Sequence, residues 1–366
     1  MKEHALVLHI PLSLIMCFAL EWMSRHSFSE ALSFVMERPL AYLYNSYLIF
    51  VVYMLVFLGR KRTFWRMVIS AFFVTLGIVN CIILLNRVSP FGFSDIGLIG
   101  DLLTMQNTNY FSWGQAIVSL FAIGAYIVYL VILYKKTEAE PVRFSLPIRT
   151  LIVALCLLSI APVTYVLKKV DVLTSYFGNL AQGYYDYGYI YGFATSALDR
   201  GMTKPIGYGK ERIERIISQD DAGETTLDRE NAPNIVVVLL ESYFDVGEAS
   251  FIRCSEDPMP FFHSLEKNYS TGHMTAPVVG AGTCNTEFEI LTGMTCQFFG
   301  PGEYPQKTIL KHTDVESVAD TLDTLGFGTH VVHNNGGNFY SRANAFSMMG
   351  FDSFTCKEML DITDYT

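Results

Sequence analysis

Residues 234–242 read Asn-Ile-Val-Val-Val-Leu-Leu-Glu-Ser behind Pro233. A short continuous run of this kind, rich in β-branched residues, is the pattern of a strand buried on both faces of a sheet. It ends at Glu241 and Ser242, polar side chains that would be costly inside the sheet. Downstream, helical patterning is expected around residues 260–267, 286–292 and 314–325, the last stopped by Gly326, and a second strand over 328–333. Strands alternating with helices imply an α/β domain with a largely parallel sheet, whose ligands gather beyond the carboxyl ends of the strands. Glu241 stands at one such end; His333, followed by Asn334, Asn335, Gly336 and Gly337, stands at another.

Between them, residues 279–294 read Val-Gly-Ala-Gly-Thr-Cys-Asn-Thr-Glu-Phe-Glu-Ile-Leu-Thr-Gly-Met. Gly280 and Gly282 let backbone approach a ligand closely, and Thr283 falls just before a helix whose free N–H groups and dipole favour an anion. A hydroxyl in that place is a candidate nucleophile. The plainer alternative is that Thr283 is an ordinary N-cap, with Thr286 and Glu289 fitting a capping box.

Upstream of this domain the composition changes twice. Residues 199–232 are rich in Gly, Lys, Glu, Arg and Asp and read as a solvated, partly helical linker, with a domain boundary near Asn231. Before it, five hydrophobic runs, approximately 5–22, 40–58, 67–85, 116–134 and 148–167, each approach the ~20 residues that a bilayer core asks of a helix. The first carries His9, Pro11 and Glu21 and lacks a small-residue cleavage pattern, so a span is favoured over a signal peptide. Arg60, Lys61, Arg62 and Arg66 follow the second run, and Lys135, Lys136, Arg143 and Arg149 cluster around the loop after the fourth. The loop 86–114 has a single basic residue, Arg87. This asymmetry puts the N-terminus and both basic loops in the cytoplasm and everything after the fifth run outside; Lys168 and Lys169 dissent. The segment from Ser89 to Asp95 is expected to be a turn capping a short helix, and the aromatic stretch from Tyr184 to Phe193, with its five tyrosines, to be a helix at the membrane surface, the alternative being a carbohydrate- or lipid-facing stacking surface.

The whole chain has 366 residues, 51% hydrophobic and 17% charged, against about 25% charged in an ordinary soluble domain. Its net charge of −9 makes nucleic acid an unsuitable partner. Seven scattered cysteines form no CxxC pair, which excludes a zinc ribbon or a thioredoxin-like motif. Cys254, Cys284, Cys296 and Cys356 are candidates for pairing in an oxidising exterior, while Cys17, Cys81 and Cys156 read as small apolar packing residues.

Three segments in order resemble the lipoteichoic acid synthase family of membrane-anchored, sulfatase-like phosphoglycerol transferases: residues 234–244 with their Glu-Ser end, the Gly-Ala-Gly-Thr-Cys-Asn-Thr-Glu-Phe-Glu-Ile-Leu-Thr-Gly segment, and His333 to Arg342 before Gly350, Phe351 and Asp352. The resemblance implies a five-helix membrane bundle (residues 1–168), membrane-surface helices and linker (169–231), and the N-terminal part of an extracellular α/β sulfatase-like domain of the alkaline phosphatase superfamily (232–366). It further implies Thr283 as nucleophile and metal ligand, Glu241 as metal-binding carboxylate, and His333 and Arg342 as substrate-binding residues. The implied cofactor is a divalent metal, manganese or magnesium, with zinc the weaker candidate. The implied donor is a phosphatidylglycerol-like lipid, and the acceptor a glycerol-phosphate polymer or glycolipid. The family pattern also has a later Asp-His pair, and no Asp-His dipeptide follows Thr283. The catalytic domain is therefore expected to be C-terminally incomplete and the 366-residue chain to show no turnover alone, being a fragment or truncated frame of a longer enzyme, completed by another polypeptide, or inactive. The competing functions are a phosphoethanolamine transferase or sulfatase-type hydrolase of the same superfamily, and a truncated, non-catalytic membrane protein. Sulfatases use a modified Cys or Ser, and Cys284 lacks the downstream Cys-x-Pro-x-Arg setting.

Overall fold

A computed structural model describes residues 5–98, 113–140, 144–199, 201–202, 204–219, 232–240, 243–278 and 282–361. The first half is helical: α1 (Ala5–Arg25), α2 (Phe28–Glu37), α3 (Pro39–Met54, running into a 3-10 turn, Leu55–Leu58), α4 (Arg62–Leu84), the short α5 (Phe93–Ile96), α6 (Trp113–Lys136), α7 (Leu146–Leu158) and α8 (Ile160–Lys169). Among the described residues four stretches are long and apolar enough to cross a membrane: Val7–Arg25, Pro39–Leu58, Arg62–Leu84 and Leu146–Lys169. They coincide with four of the five hydrophobic runs, and the remaining run lies within α6, a helix of 24 residues.

α1 packs against both α3 and α4. Gly77 of α4 makes the approach possible, since a Cβ there would collide with Met23 and Leu20 of α1, the small-residue contact on which helix pairs in lipid depend. Tyrosine hydroxyls hold α3 to its neighbours. Tyr53 bonds Ser70 of α4 at 2.7 Å, Tyr47 bonds Ser159 at 2.6 Å, and Tyr44 bonds Thr164 of α8. Helices α7 and α8 meet at Ser159, where Pro162 has no N–H to give the carbonyl of Leu158.

The tyrosine-rich stretch forms two short helices, α9 (Leu180–Tyr187) and α10 (Tyr189–Leu198), broken at Gly188 with φ 92°. Buried polar side chains from the bundle satisfy the backbone at this break. Glu21 accepts from the N–H of Tyr189 at 2.8 Å; Asn45 accepts from the N–H of Tyr191 at 2.7 Å and donates to the carbonyl of Tyr187 at 2.8 Å. Tyr184, Tyr189 and Tyr191 are consequently buried in one core with Leu20, Ile49 and Phe73, and Tyr185 alone of the five is exposed. The expected aromatic face turned to the membrane surface is replaced by an aromatic plug. The segment before α5 does cap it: Asp95 accepts from the N–H of Gly92 at 2.9 Å and from the Arg87 guanidinium, and Leu98 beyond it is buried.

The second half contains α11 (Lys210–Ile217), α12 (Pro260–Asn268), α13 (Thr283–Thr292), α14 (Val318–Thr324), β1 (His330–Val332), α15 (Arg342–Met348) and β2 (Ser353–Thr355). β1 and β2 pair in parallel, His330 opposite Ser353 and Val332 opposite Thr355. Phe288, Phe299, Leu310, Ala345, Phe346 and Met349 form the core beneath them. The expected first strand is absent: residues 235–240 belong to no strand, and Val236 is 82% exposed. A strand buried on both faces needs neighbours on both edges, and among the described residues the run has none. The described residues thus form a two-stranded parallel unit with helices rather than the full α/β sheet.

Candidate active site

Gly282 is the N-cap of α13, in the left-handed region at φ 89°, ψ 33°. A Cβ there would also lie 3.2 Å from Val278 and 3.3 Å from the Tyr304 ring, so both conformation and space call for glycine. Thr283 is therefore the first helical residue, half-buried, and among the described residues its hydroxyl has no hydrogen-bond partner. The capping alternative does not hold. The helix starts three residues before Thr286, whose hydroxyl is buried with no partner among the described residues, and Glu289 accepts instead from the N–H of Cys296 at 2.5 Å. At a helix start the first N–H groups are left free of intrahelical partners and face any anion placed there.

One turn along the same helix, Glu287 receives Arg342 in a fork: Nη2 donates to Oε1 at 2.7 Å, and Nε reaches Oε1 at 3.2 Å and Oε2 at 3.1 Å. The two side chains are only 4% and 11% exposed. Arg342 opens α15 directly after Tyr340 (φ 56°) and Ser341 (φ 55°), two consecutive non-glycine residues in the left-handed region. Such conformations cost free energy and persist where surroundings over-determine them. Here the Tyr340 ring lies under the Arg342 guanidinium, 5.2 Å from its centroid, and against the Tyr304 ring at 5.2 Å. Cys284, Tyr304, Tyr340 and Leu98 share one buried cluster, so the loop from the helical half packs against the start of α13.

His333 continues the β1 ladder, donating its N–H to the carbonyl of Thr355 at 2.8 Å, and its ring stacks on Phe354. Its Nε2 is buried, with no partner among the described residues. Burial first, and then the nearby Arg342 cation, hold the imidazole below its ordinary value, so it is neutral near pH 7. Glu287 acts on it in the opposite direction.

Of the sequence-predicted site residues, Arg342 binds Glu287, one turn along the helix that Thr283 opens, and His333 lies within electrostatic reach of both charges, while Glu241 lies outside the described residues. Sequence reasoning passed over Glu287, although its position four residues after Thr283 places it on the same helix face. Arg342, expected to meet substrate, has Nε and Nη2 engaged by Glu287. No three His, Cys, Asp or Glu residues gather into a metal site among the described residues. Thr283 and Glu241 would supply two oxygen donors where magnesium takes six ligands, so these residues alone do not fit a catalytic metal. All seven cysteines are free.

The second half is fastened to the helical half at Glu303. Its Oε2 accepts from the N–H groups of Gly201 at 2.7 Å and Gly300 at 3.0 Å. Its carbonyl accepts from Asn285 of α13 at 2.9 Å. Gly300 is so close to the Asp199 carbonyl that no Cβ fits there.

Residues 233–365 match the sulfatase family model. A protein of Rhizobium meliloti (strain 1021), provisionally named for cyclic beta-1,2-glucan modification, is 27% identical over 177 residues, covering 48% of this chain and 27% of the relative. The chain therefore spans about a quarter of that relative's length. No solved structure matches the chain significantly. The stretch that bears Thr283, Glu287, His333 and Arg342 is accordingly a sulfatase-family domain, joined to helices long and apolar enough to cross a membrane.

Proposed function

We propose that the chain carries the nucleophile-bearing part of a membrane-bound phosphoglycerol transferase of the lipoteichoic acid synthase type, anchored by five spans with its sulfatase domain on the extracellular face. The observation that supports it best is the release of Thr283 from capping duty at the start of α13, one turn before the glutamate of the Glu287–Arg342 fork. In the first step the Thr283 oxygen bonds to the phosphorus of a phosphatidylglycerol-type lipid, the bond to the diacylglycerol oxygen breaks, and diacylglycerol leaves with a proton. In the second, an acceptor hydroxyl displaces Thr283 from phosphorus and returns the proton to it. The acceptor is a cell-envelope polymer or glycolipid. The relative's name adds a glucan as an acceptor of the same hydroxyl chemistry. Neutral His333, whose Nε2 has no partner among the described residues, is suited to hydrogen-bond the phosphoglycerol group.

Sulfatase-family enzymes generally use a divalent metal; manganese or magnesium bound through Glu241 and Thr283 is part of this proposal, with the remaining ligands to come from a segment carrying the family's Asp-His pair. The test compares the chain alone with the chain joined to such a segment, in vesicles of phosphatidylglycerol. Diacylglycerol release is expected only from the joined protein, abolished by Thr283→Ala and retained in part by Thr283→Ser. His333→Ala should slow it by about 10²-fold through misplacement of substrate. Full activity of the Thr283→Ala variant would refute the assignment.

A further inference from the structure

A cavity of about 670 Å³ lies between α3, α4, α8 and α10, within the roughly 300–1,000 Å³ of small-molecule sites. Leu48, Val52, Phe72, Leu157 and Ala161 make its walls apolar, and Lys168 and Asp199 stand at one end. From Leu157 to Lys168 the helix pair rises eleven residues, about 17 Å at ~1.5 Å per residue. One leaflet of a bilayer core is about 15 Å deep, half of ~30 Å. The groove therefore has the depth of one leaflet, and its polar end falls at the membrane boundary.

That end carries the charged residues. Lys168 Nζ is 3.1 Å from Asp199 Oδ2, and the neighbouring Lys169 ammonium lies over the Tyr165 ring at 5.3 Å. Lys168 and Lys169 are adjacent at this end of α8, and they are the lysines that dissent from the charge bias of the other loops. Asp199 also abuts Gly300 of the sulfatase domain, so the charged mouth opens where the two halves meet.

We propose that this groove takes one acyl chain of a glycerophospholipid from the adjoining leaflet, with the lipid phosphate against Lys168 and Lys169. The inference deepens the proposed function by placing the lipid donor, and rests on it only for that lipid's fate as substrate. The experiment reads lipid retention rather than turnover. The 366-residue chain is loaded in nanodiscs of equal phosphatidylglycerol and phosphatidylcholine, released, and weighed by native mass spectrometry. The wild type should keep one phospholipid, enriched in phosphatidylglycerol. Ala161→Trp, made at an exposed position that fills the groove, should reduce retention by at least about tenfold. Lys168→Gln with Lys169→Gln should keep the lipid but lose the headgroup preference. Thr283→Ala should retain lipid as the wild type does, which separates failure of this inference from failure of the nucleophile assignment. Wild-type retention by Ala161→Trp, or an unchanged preference in the double lysine variant, would overturn it.

Discussion

Arg342 and Glu287 set the energetics of the candidate site one residue at a time. A buried ion pair adds little net stability because both charges are desolvated, yet removing one partner strands the other. Glu287→Gln should therefore cost about 3–5 kcal/mol, read from urea unfolding of the sulfatase domain, since the 4%-exposed guanidinium would lose its counter-charge. A loss under 1 kcal/mol, on the order of a surface ion pair, would mean that the fork is open to water. Thr283 shows the same residue-scale logic in reverse. The left-handed Gly282 takes over the N-cap, and the threonine hydroxyl is relieved of a structural bond it would otherwise make. Sequence spacing identified Thr283 as a candidate and left its capping role open, because the identity of a cap depends on where the helix begins to within one residue.

At the scale of elements, α12 is held by a clamp around one imidazole. His263 Nδ1 is 2.7 Å from Asp257 Oδ1, and Nε2 is 2.9 Å from Asp245 Oδ2. Asp257 and then Asp245 push the imidazole up to about 9. The folded value lies above the unfolded 6.5, so this clamp contributes fully below pH 6.5 and is lost as pH rises through about 9. Unfolding midpoints measured from pH 6 to 10 should fall across that window, and His263→Gln should flatten the fall. Helix α12 itself was legible in the sequence, as were α14 with its glycine stop and β1, because local periodicity and end signals determine them. Residues 235–240 were misread because a strand is a relation between segments, and their composition says nothing about which neighbour is present. The α9–α10 break was missed for a similar reason. Its stability comes from Glu21 and Asn45, more than 140 residues away in sequence.

For the whole molecule, the charge asymmetry of the loops yields a topology that labelling can check. In a cysteine-free background, a membrane-impermeant thiol reagent applied outside should modify a cysteine placed at Asp220 and spare one placed at Arg62; the reverse pattern would sink the orientation. The seam between the halves is equally testable. Gly300→Ala should push the Glu303 loop off Asp199, and hydrogen exchange at the N–H groups of Gly201 and Gly300 should quicken while α1 stays protected. That seam has a consequence for how such a protein would work. Glu303 grips the end of the helical half with its carboxylate and the Thr283-bearing helix with its carbonyl, through Asn285. Under the proposed function, a threonine tied in this way to the helical half would stand at a set distance from the bilayer, so the travel would fall to the substrates, and every unit added to a polymer would be added in one plane.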